Sequence, residues 1–193
     1  MKGFKFSLYK LFSALTVVFV VAFDQLTKFL VVKYLDKSEP FYVIDGIFRF
    51  SYVENDGAAF GMLDDHRWIF MIISSVAIIA LLVYLLGFAP KNILLNAGLS
   101  LVVGGGIGNM IDRVALGYVV DFIDFCAFPD LWMWVFNVAD SCVCVGAAVI
   151  ALYFILEIIK EGKAPRKAPC PCEAKEENTE AEEIKEEKNE ENE

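Results

Sequence analysis

Four apolar stretches, each of about the length that crosses a bilayer, constrain the fold of this 193-residue chain more than any other feature. They cover approximately residues 11–32, 68–87, 93–115 and 134–159. Hydrophobic residues make up 57% of the chain, more than a water-soluble domain of this size normally contains. The pattern predicts a mostly α-helical membrane protein, in which residues 1–160 form a domain of four transmembrane helices.

The residues after 160 have a different composition. Residues 173–193 contain eleven Glu and three Lys, a net charge of −8 out of −9 for the whole chain. With one Ile and no aromatic residue, this segment cannot bury enough apolar surface to offset the entropy of ordering. We predict that residues 161–193 form a disordered acidic tail, with an interaction tail as the alternative. The acidic charge gives no reason to expect nucleic acid as a partner.

The basic residues that flank the spans are distributed unequally between the two sides of the predicted bundle. Eight Lys and Arg residues lie with the two termini and the loop between spans two and three, and five lie with the other loops. Because positive charge favours the cytoplasmic side, both termini are predicted to be cytoplasmic. The loops at 34–67 and 116–133 are then extracytoplasmic.

A strand–turn–strand pattern occupies residues 41–53 of the first extracytoplasmic loop. The Asp45-Gly46 pair separates two runs of aromatic and β-branched residues, which is typical of a β-hairpin. Phe48, Phe50 and Tyr52 alternate with Arg49 and Ser51 along the second run. We predict a small extracytoplasmic β-sheet that either rests on membrane lipid headgroups or cradles a substrate.

Acidic residues inside three of the spans lie at one common depth. At about 1.5 Å per residue, Asp24 is about 21 Å from the Lys10 end of the first span. By the same measure Asp112 is about 28 Å into the third span and Asp140 about 9 Å into the fourth. All three positions are therefore near the extracytoplasmic face. Because carboxylates beside a bilayer are costly, this clustering indicates a single functional site.

Some of these charges also have a purely structural interpretation. Lys28 lies one helical turn after Asp24, so the pair either supports the site or is a lysine reaching the interface beside a neutralising carboxylate. Asp112 and Arg113 are equally compatible with a structural ion pair at the end of the third helix. Asn55 lies in a turn sequence and either points into the site or belongs to a loop that returns to the membrane.

The candidate catalytic residues are Asp121 and Asp140, each in apolar surroundings. Two neighbouring carboxylates share a proton, so one can act as a base towards water while the other protonates a carbonyl oxygen. This chemistry requires no metal, cofactor or histidine, and the chain has one histidine, His66, and no His-Glu-x-x-His motif. The spacing alone leaves open whether Asp121 or Asp124 is the partner of Asp140.

Five blocks covering about residues 8–160 resemble, in order and spacing, the bacterial lipoprotein signal peptidases (signal peptidase II, peptidase family A8). The blocks are Asp24-Gln-x-Thr-Lys28, Asn55-x-Gly-Ala-Ala-Phe-Gly61, Gly108-Asn-x-Ile-Asp-Arg113, Val119-Val-Asp-Phe-Ile-Asp124 and Phe136-Asn-Val-Ala-Asp-Ser141. The resemblance implies a multi-pass inner-membrane aspartic endopeptidase without a cofactor. It would cut diacylglyceryl-modified prolipoproteins just before the lipidated Cys.

The same resemblance implies roles for individual residues. It selects Asp121 and Asp140 as the catalytic pair and the hairpin as a cradle that holds substrate or the cyclic peptide inhibitor globomycin. The supporting positions that it implies are Asp24, Lys28, Asn55, Gly57, Asn109, Asp112, Arg113, Asn137 and Ala139. A proton- or ion-coupled transporter is the alternative from another class, but its carboxylates would be spread across the membrane.

Overall fold

Each of the four apolar stretches forms a long α-helix in the computed structural model, which describes residues 8–56, 67–88, 90–127 and 134–163. The elements, in chain order, are α1 (Leu8–Tyr34), β1 (Phe41–Ile44), β2 (Phe48–Asn55), α2 (Arg67–Phe88), α3 (Ile93–Ala115), β3 (Val119–Phe125), β4 (Val135–Phe136) and α4 (Val138–Lys163). Within the described residues, the four helices are each long and apolar enough to cross a membrane. The predicted mostly α-helical membrane fold with a small sheet is confirmed.

The fourth helix departs from its predicted bounds at both ends. It begins at Val138 rather than near 134, because Val135 and Phe136 pair with β3 as a short strand. It continues to Lys163, beyond the predicted boundary at 160. Its last turns belong to a second unit, Leu156–Glu193, in which Lys160 and Glu157 form an ion pair with a 2.7 Å N–O distance. The predicted tail beyond residue 163 lies outside the described residues.

The distribution of polar and apolar side chains is the reverse of that in a soluble protein. Large apolar side chains of the helices point outwards, among them Phe19, Ile73 and Val114. Polar residues are buried between α1 and α3, where Ser13 Oγ donates to Asn96 Oδ1 at 2.9 Å. An apolar outer surface is favourable in lipid, and the interior polar groups then need partners within the protein.

Helix α3 lies at the centre of the bundle because its small residues allow the other helices to approach closely. A Cβ added at Gly104 would meet Val20 of α1 at 2.8 Å, and one at Gly106 would meet Ile78 of α2 at 2.9 Å. At Gly105 an added Cβ would meet the carbonyl oxygen of Ala139 in α4. These close approaches explain why α3 carries glycines at these positions.

The four strands form one antiparallel sheet in the order β1-β2-β3-β4. The predicted hairpin is present, and Gly46 has the positive φ of +70° that its turn requires. In the register between β2 and β3, Val53 pairs with Asp121 and Asn55 with Val119. This register brings the end of β2 next to Asp121, while β3 follows directly from α3.

Candidate active site

Asp121 projects from β3 into a set of amide donors. Asn137 Nδ2 donates to its Oδ1 at 2.6 Å, and Asn55 Nδ2 donates to its Oδ2 at 2.8 Å. Only 2% of the residue is exposed. Each donor comes from a different element, so the position of this carboxylate depends on β2, β3 and the start of α4 together.

Asp140 lies in the first turn of α4, where it forms a reciprocal cap with Asn137. The Asp140 backbone N–H donates to Asn137 Oδ1 at 2.9 Å, and the Asn137 backbone N–H donates to Asp140 Oδ2 at 3.2 Å. This exchange is the capping-box arrangement, built here from Asn and Asp. Asn109 of α3 adds a donor to Asp140 Oδ1 at 2.7 Å. The cap therefore fixes both the start of the helix and the carboxylate.

One cavity of about 420 Å³ is lined by both Asp121 and Asp140. Asn55, Asn109 and Arg113 add polar groups to its wall. The apolar part of the lining includes Ile78, Met110, Val119, Trp134, Phe136 and Val143. A concave site with an apolar wall and a few converging polar groups is the usual form of a small-molecule or peptide site.

The environment of Asp121 raises the pKa of its carboxyl from 3.8 to about 7. Burial is the main cause, since it disfavours the ionised form, and the negative charge of Asp140 acts in the same direction. The hydrogen bonds from Asn55 and Asn137, together with the positive charge of Lys28, partly offset this increase. Asp121 therefore exchanges its proton near neutral pH.

Lys28 is buried behind this pair, with 3% of the residue exposed. Its Nζ lies 2.9 Å from Asp24 Oδ2, 2.9 Å from Asp112 Oδ2 and 2.9 Å from Asn109 Oδ1. The alternative in which Lys28 extends to the membrane interface is therefore wrong. The interpretation of Asp112 and Arg113 as an ion pair is also wrong, because Asp112 pairs with Lys28.

These contacts fix the orientation of the Asn109 amide. Its Oδ1 accepts hydrogen bonds from Lys28 Nζ and from Asn137 Nδ2 at 3.0 Å. Since both neighbours are donors, the oxygen has to face them, and Nδ2 is directed towards Asp140. Lys28 thus acts on Asp140 through Asn109.

Asp24 connects α1 to the start of α4. Its Oδ1 accepts from the backbone N–H of Ala139 at 2.9 Å, in the first turn of the helix. Anions are favoured at this position by the unpaired N–H groups and the helix dipole. Ala139 is fully buried, and Gly108 leaves the space that the Asp24 carboxylate occupies. The small residues at 108 and 139 are thus explained by the close approach of three helices.

Gln25 belongs to the same network, although it is not among the predicted site residues. Its Nε2 donates to Asp112 Oδ1 at 2.9 Å, to the carbonyl oxygen of Gly108 at 3.1 Å and to Asp24 Oδ2 at 3.2 Å. The sequence signal that could have identified Gln25 is an amide side chain next to Asp24 inside an apolar span. Asp112 Oδ2 also accepts from the Val120 N–H at 3.1 Å, which joins α3 to β3.

The structure separates Asp124 from the site. Arg49 Nε lies 2.6 Å from Asp124 Oδ2, and Ser51 Oγ donates to the same oxygen at 2.8 Å.

Arg113 lines the cavity, and its Nη1 contacts the Asn109 carbonyl oxygen at 3.5 Å. Gly57 lies outside the described residues. In the part of the chain that the structure describes, no three His, Cys, Asp or Glu side chains are grouped as metal ligands.

The fold and the site together define a multi-pass membrane protein with two carboxylates lining one cavity where α3, α4 and a small sheet meet. Residues 16–156 match the family profile described as signal peptidase (SPase) II, Peptidase_A8. The chain belongs to the signal peptidase II family, which makes it a protease.

Similar proteins come from both sequence and structure comparisons. The lipoprotein signal peptidase of Caldanaerobacter subterraneus subsp. tengcongensis is 48% identical over 141 residues, which are 73% of this chain and 94% of the relative. That of Symbiobacterium thermophilum is 42% identical over 144 residues, 75% of this chain and 94% of the relative. A bacterial membrane enzyme solved by the in meso method superposes with a TM-score of 0.70 at 34% identity, over 81% of this chain and 94% of that one.

Proposed function

We propose that this chain is an aspartic endopeptidase that removes the signal peptide from diacylglyceryl-modified prolipoproteins. The cut falls just before the lipidated Cys. The names of the relatives support the substrate class. One structural observation carries the aspartic chemistry: Asp121 and Asp140 line the same cavity, and each carboxylate is held by two hydrogen-bond donors.

The two carboxyl groups have different environments, which assigns their roles. The first turn of α4 favours negative charge on Asp140, so Asp140 is the base. Asp121, with its pKa of about 7, holds the proton and is the acid. Asp140 takes a proton from a water as the water oxygen attacks the scissile carbonyl carbon, and Asp121 protonates the carbonyl oxygen.

The same two groups then complete the reaction. Asp140 gives its proton to the leaving nitrogen as the C–N bond breaks, and Asp121 recovers a proton from the tetrahedral intermediate as the new carboxyl group forms. The starting protonation state is restored without a covalent enzyme intermediate. Asn55, Asn109 and Asn137 keep the carboxylates in place through both steps.

The remaining predicted site residues support this pair. Asp24, Lys28 and Asp112 hold the Asn109 amide in the orientation that serves Asp140. Arg113 supplies a positive charge at the cavity wall for carbonyl oxygens of the substrate. Ala139 keeps the start of α4 close to α1 and α3, so a larger side chain there would displace Asp140. Gly57 is proposed as a further supporting residue.

We place the enzyme in the bacterial inner membrane, with both termini in the cytoplasm and the site at the extracytoplasmic face. The distribution of basic residues supports this orientation. The sheet that carries Asn55 and Asp121 is the substrate cradle, in contact with membrane lipid. Globomycin-type cyclic peptides are expected to bind in the same cavity and inhibit cleavage.

The test is cleavage of a synthetic diacylglyceryl prolipoprotein peptide by purified Asp121→Asn, Asp140→Asn and Asp124→Asn proteins. Loss of acid–base catalysis predicts a decrease in kcat of about 10²–10⁴-fold in the first two. Asp124→Asn is the matched control, because this carboxylate is bound to Arg49 and Ser51 and does not line the cavity. Full activity of either of the first two folded proteins would refute the proposed pair.

A further inference from the structure

A second groove of about 420 Å³ lies beside the catalytic cavity, between α2 and α3. Ile78 and Met110 line both spaces, so the two adjoin at these side chains. The other groove residues are Ser75, Ile79, Ile107, Ile111, Val114 and Ala115. The groove is therefore at the depth of the catalytic cavity, on the neighbouring face of α3.

The packing of α2 on α3 accounts for the position of this groove. The two helices are in close contact where Ile78 lies over Gly106, at 2.9 Å from the position of an added Cβ. The groove residues of α3 run from Ile107 to Ala115, towards the end of the helix that carries the site. Met110, which separates the two spaces, has a flexible side chain that adapts to different occupants.

The chemistry of the wall excludes a peptide backbone as the occupant. Ser75 is the polar side chain of the groove, and its Oγ lies 2.6 Å from the Met71 carbonyl oxygen and 3.7 Å from Met110 Sδ. In a lipid environment an extended backbone needs a hydrogen-bond partner for every polar group. A helix would satisfy its own backbone, but a space of about 420 Å³ holds only about one turn of a helix that is about 10 Å wide. A hydrocarbon chain needs no hydrogen-bond partner.

The substrate class of the proposed function brings such a chain to this position. This step rests on that function: if the cut falls before the lipidated Cys, the diacylglyceryl group is attached to the residue that follows the scissile bond. One extended residue spans only about 3.5 Å, so the acyl chains begin beside the catalytic cavity. They must leave it through an apolar wall. Ile78 and Met110 form the wall that separates the cavity from the groove.

We propose that the α2–α3 groove binds one acyl chain of the diacylglyceryl group, which passes from the catalytic cavity between Ile78 and Met110. Membrane lipid tails are as apolar as this groove, so the hydrophobic effect contributes little to the binding. The groove instead positions the substrate, because the acyl chain bound in it sets the distance between the glycerol group and the carboxylates of Asp121 and Asp140. The groove thereby selects acylated substrates and aligns the scissile bond.

The first test fills the groove and compares a matched control on the same helix. Ile79 lines the groove and is 59% exposed, whereas Val76 is 63% exposed and does not line it. For a substrate with two long acyl chains, we expect Ile79→Trp to lower kcat by about tenfold with a smaller change in KM, because the displaced chain misplaces the scissile bond relative to the carboxylates. Val76→Trp should leave both unchanged. With a dihexanoyl substrate, the penalty of Ile79→Trp should disappear.

The second test detects binding without catalysis. The full-length Asp140→Asn protein, in phosphatidylglycerol vesicles, is irradiated with a substrate that carries a diazirine at one acyl terminus. We expect the residues labelled by this substrate to concentrate in 75–79 and 107–115. As a control, phosphatidylglycerol carrying the same diazirine should label the outer faces of the helices evenly. The same pattern from both probes would mean occupancy by bulk lipid and would overturn the proposal.

The groove assignment and the proposed function can be refuted separately. If the unsubstituted protein cuts the substrate but Ile79→Trp and Val76→Trp behave alike with both chain lengths, the groove assignment is wrong and the proposed function stands. If the unsubstituted protein does not cut the substrate, the proposed function is wrong. Labelling outside the groove in the Asp140→Asn protein overturns the assignment independently of cleavage.

Discussion

Substitution of Asn55 by Ala should extend the activity of this protease to higher pH. Asn55 Nδ2 donates to Asp121 Oδ2 at 2.8 Å, a contact that stabilises the ionised carboxylate and so lowers the pKa of Asp121. Removing the donor raises that pKa further above about 7. Because Asp121 is the proposed acid, activity is expected to be lost when it ionises. The alkaline limb of the pH profile should therefore move upwards.

The size of the shift follows from the strength of one charge-assisted hydrogen bond. Such a bond contributes about 1.5–3 kcal/mol, and one pKa unit corresponds to about 1.4 kcal/mol. Full loss of the contact would thus raise the pKa by about one to two units. Asn137 continues to donate to Asp121 at 2.6 Å, and Asn55 is only partly buried, so water replaces some of the lost contact. We expect a shift of about one unit.

The assay is kcat/KM against pH, because this ratio reports the ionisation of the free enzyme. Ser51→Ala is the control, since Ser51 lies in the same strand and its hydroxyl donates to Asp124 rather than to Asp121. Its alkaline limb should coincide with that of the unsubstituted protein. An unchanged or lowered alkaline limb in Asn55→Ala would refute the assignment of Asp121 as the acid.

Two further predictions concern stability, measured as the free energy of unfolding in detergent. Lys28→Met leaves the buried carboxylates of Asp24 and Asp112 without their cation and should lower the free energy of unfolding by about 3–5 kcal/mol. Arg49→Met breaks the more exposed pair with Asp124 and should lower it by about 1 kcal/mol or less. Equal losses would contradict the buried-pair argument. In Gly108→Ala the new Cβ would meet Asp24 Oδ2 at 2.6 Å and should cost about 1–3 kcal/mol, with a loss of activity. A Cβ added at Gly87 would meet no atom within 4 Å, so Gly87→Ala should reduce neither stability nor activity. An effect as large as that of Gly108→Ala would exclude the steric explanation.

The elements of this fold were predictable because their signals are local. Long apolar stretches predict spanning helices, and Asp45-Gly46 between aromatic and β-branched runs predicts the hairpin. The start of α4 was not predictable in this way. Trp134 to Phe136 continue the apolar pattern of the helix, but Val135 and Phe136 pair with β3. That pairing depends on the position of β3, which the local sequence does not encode.

The site was partly predictable, since helix geometry places Asp24, Asp112 and Asp140 at one depth before any contact is known. Depth alone does not identify partners. The structure pairs Asp112 with Lys28 of another helix rather than with the adjacent Arg113. It also adds Gln25, whose three contacts depend on how closely α1 approaches α3. Side-chain partners across helices require the packing, which the glycines of α3 determine.

The buried charges explain why the proposed catalytic cavity and the helix bundle depend on each other. Asp24 and Asp112 share one lysine, which leaves an excess negative charge in a membrane protein interior. The N-terminus of α4 compensates for part of it, because the Ala139 N–H donates to Asp24 and the helix dipole is favourable to anions. Asp140 uses the same helix terminus. Any displacement of α4 from α1 would therefore remove the support of a structural carboxylate and of the proposed catalytic base at once.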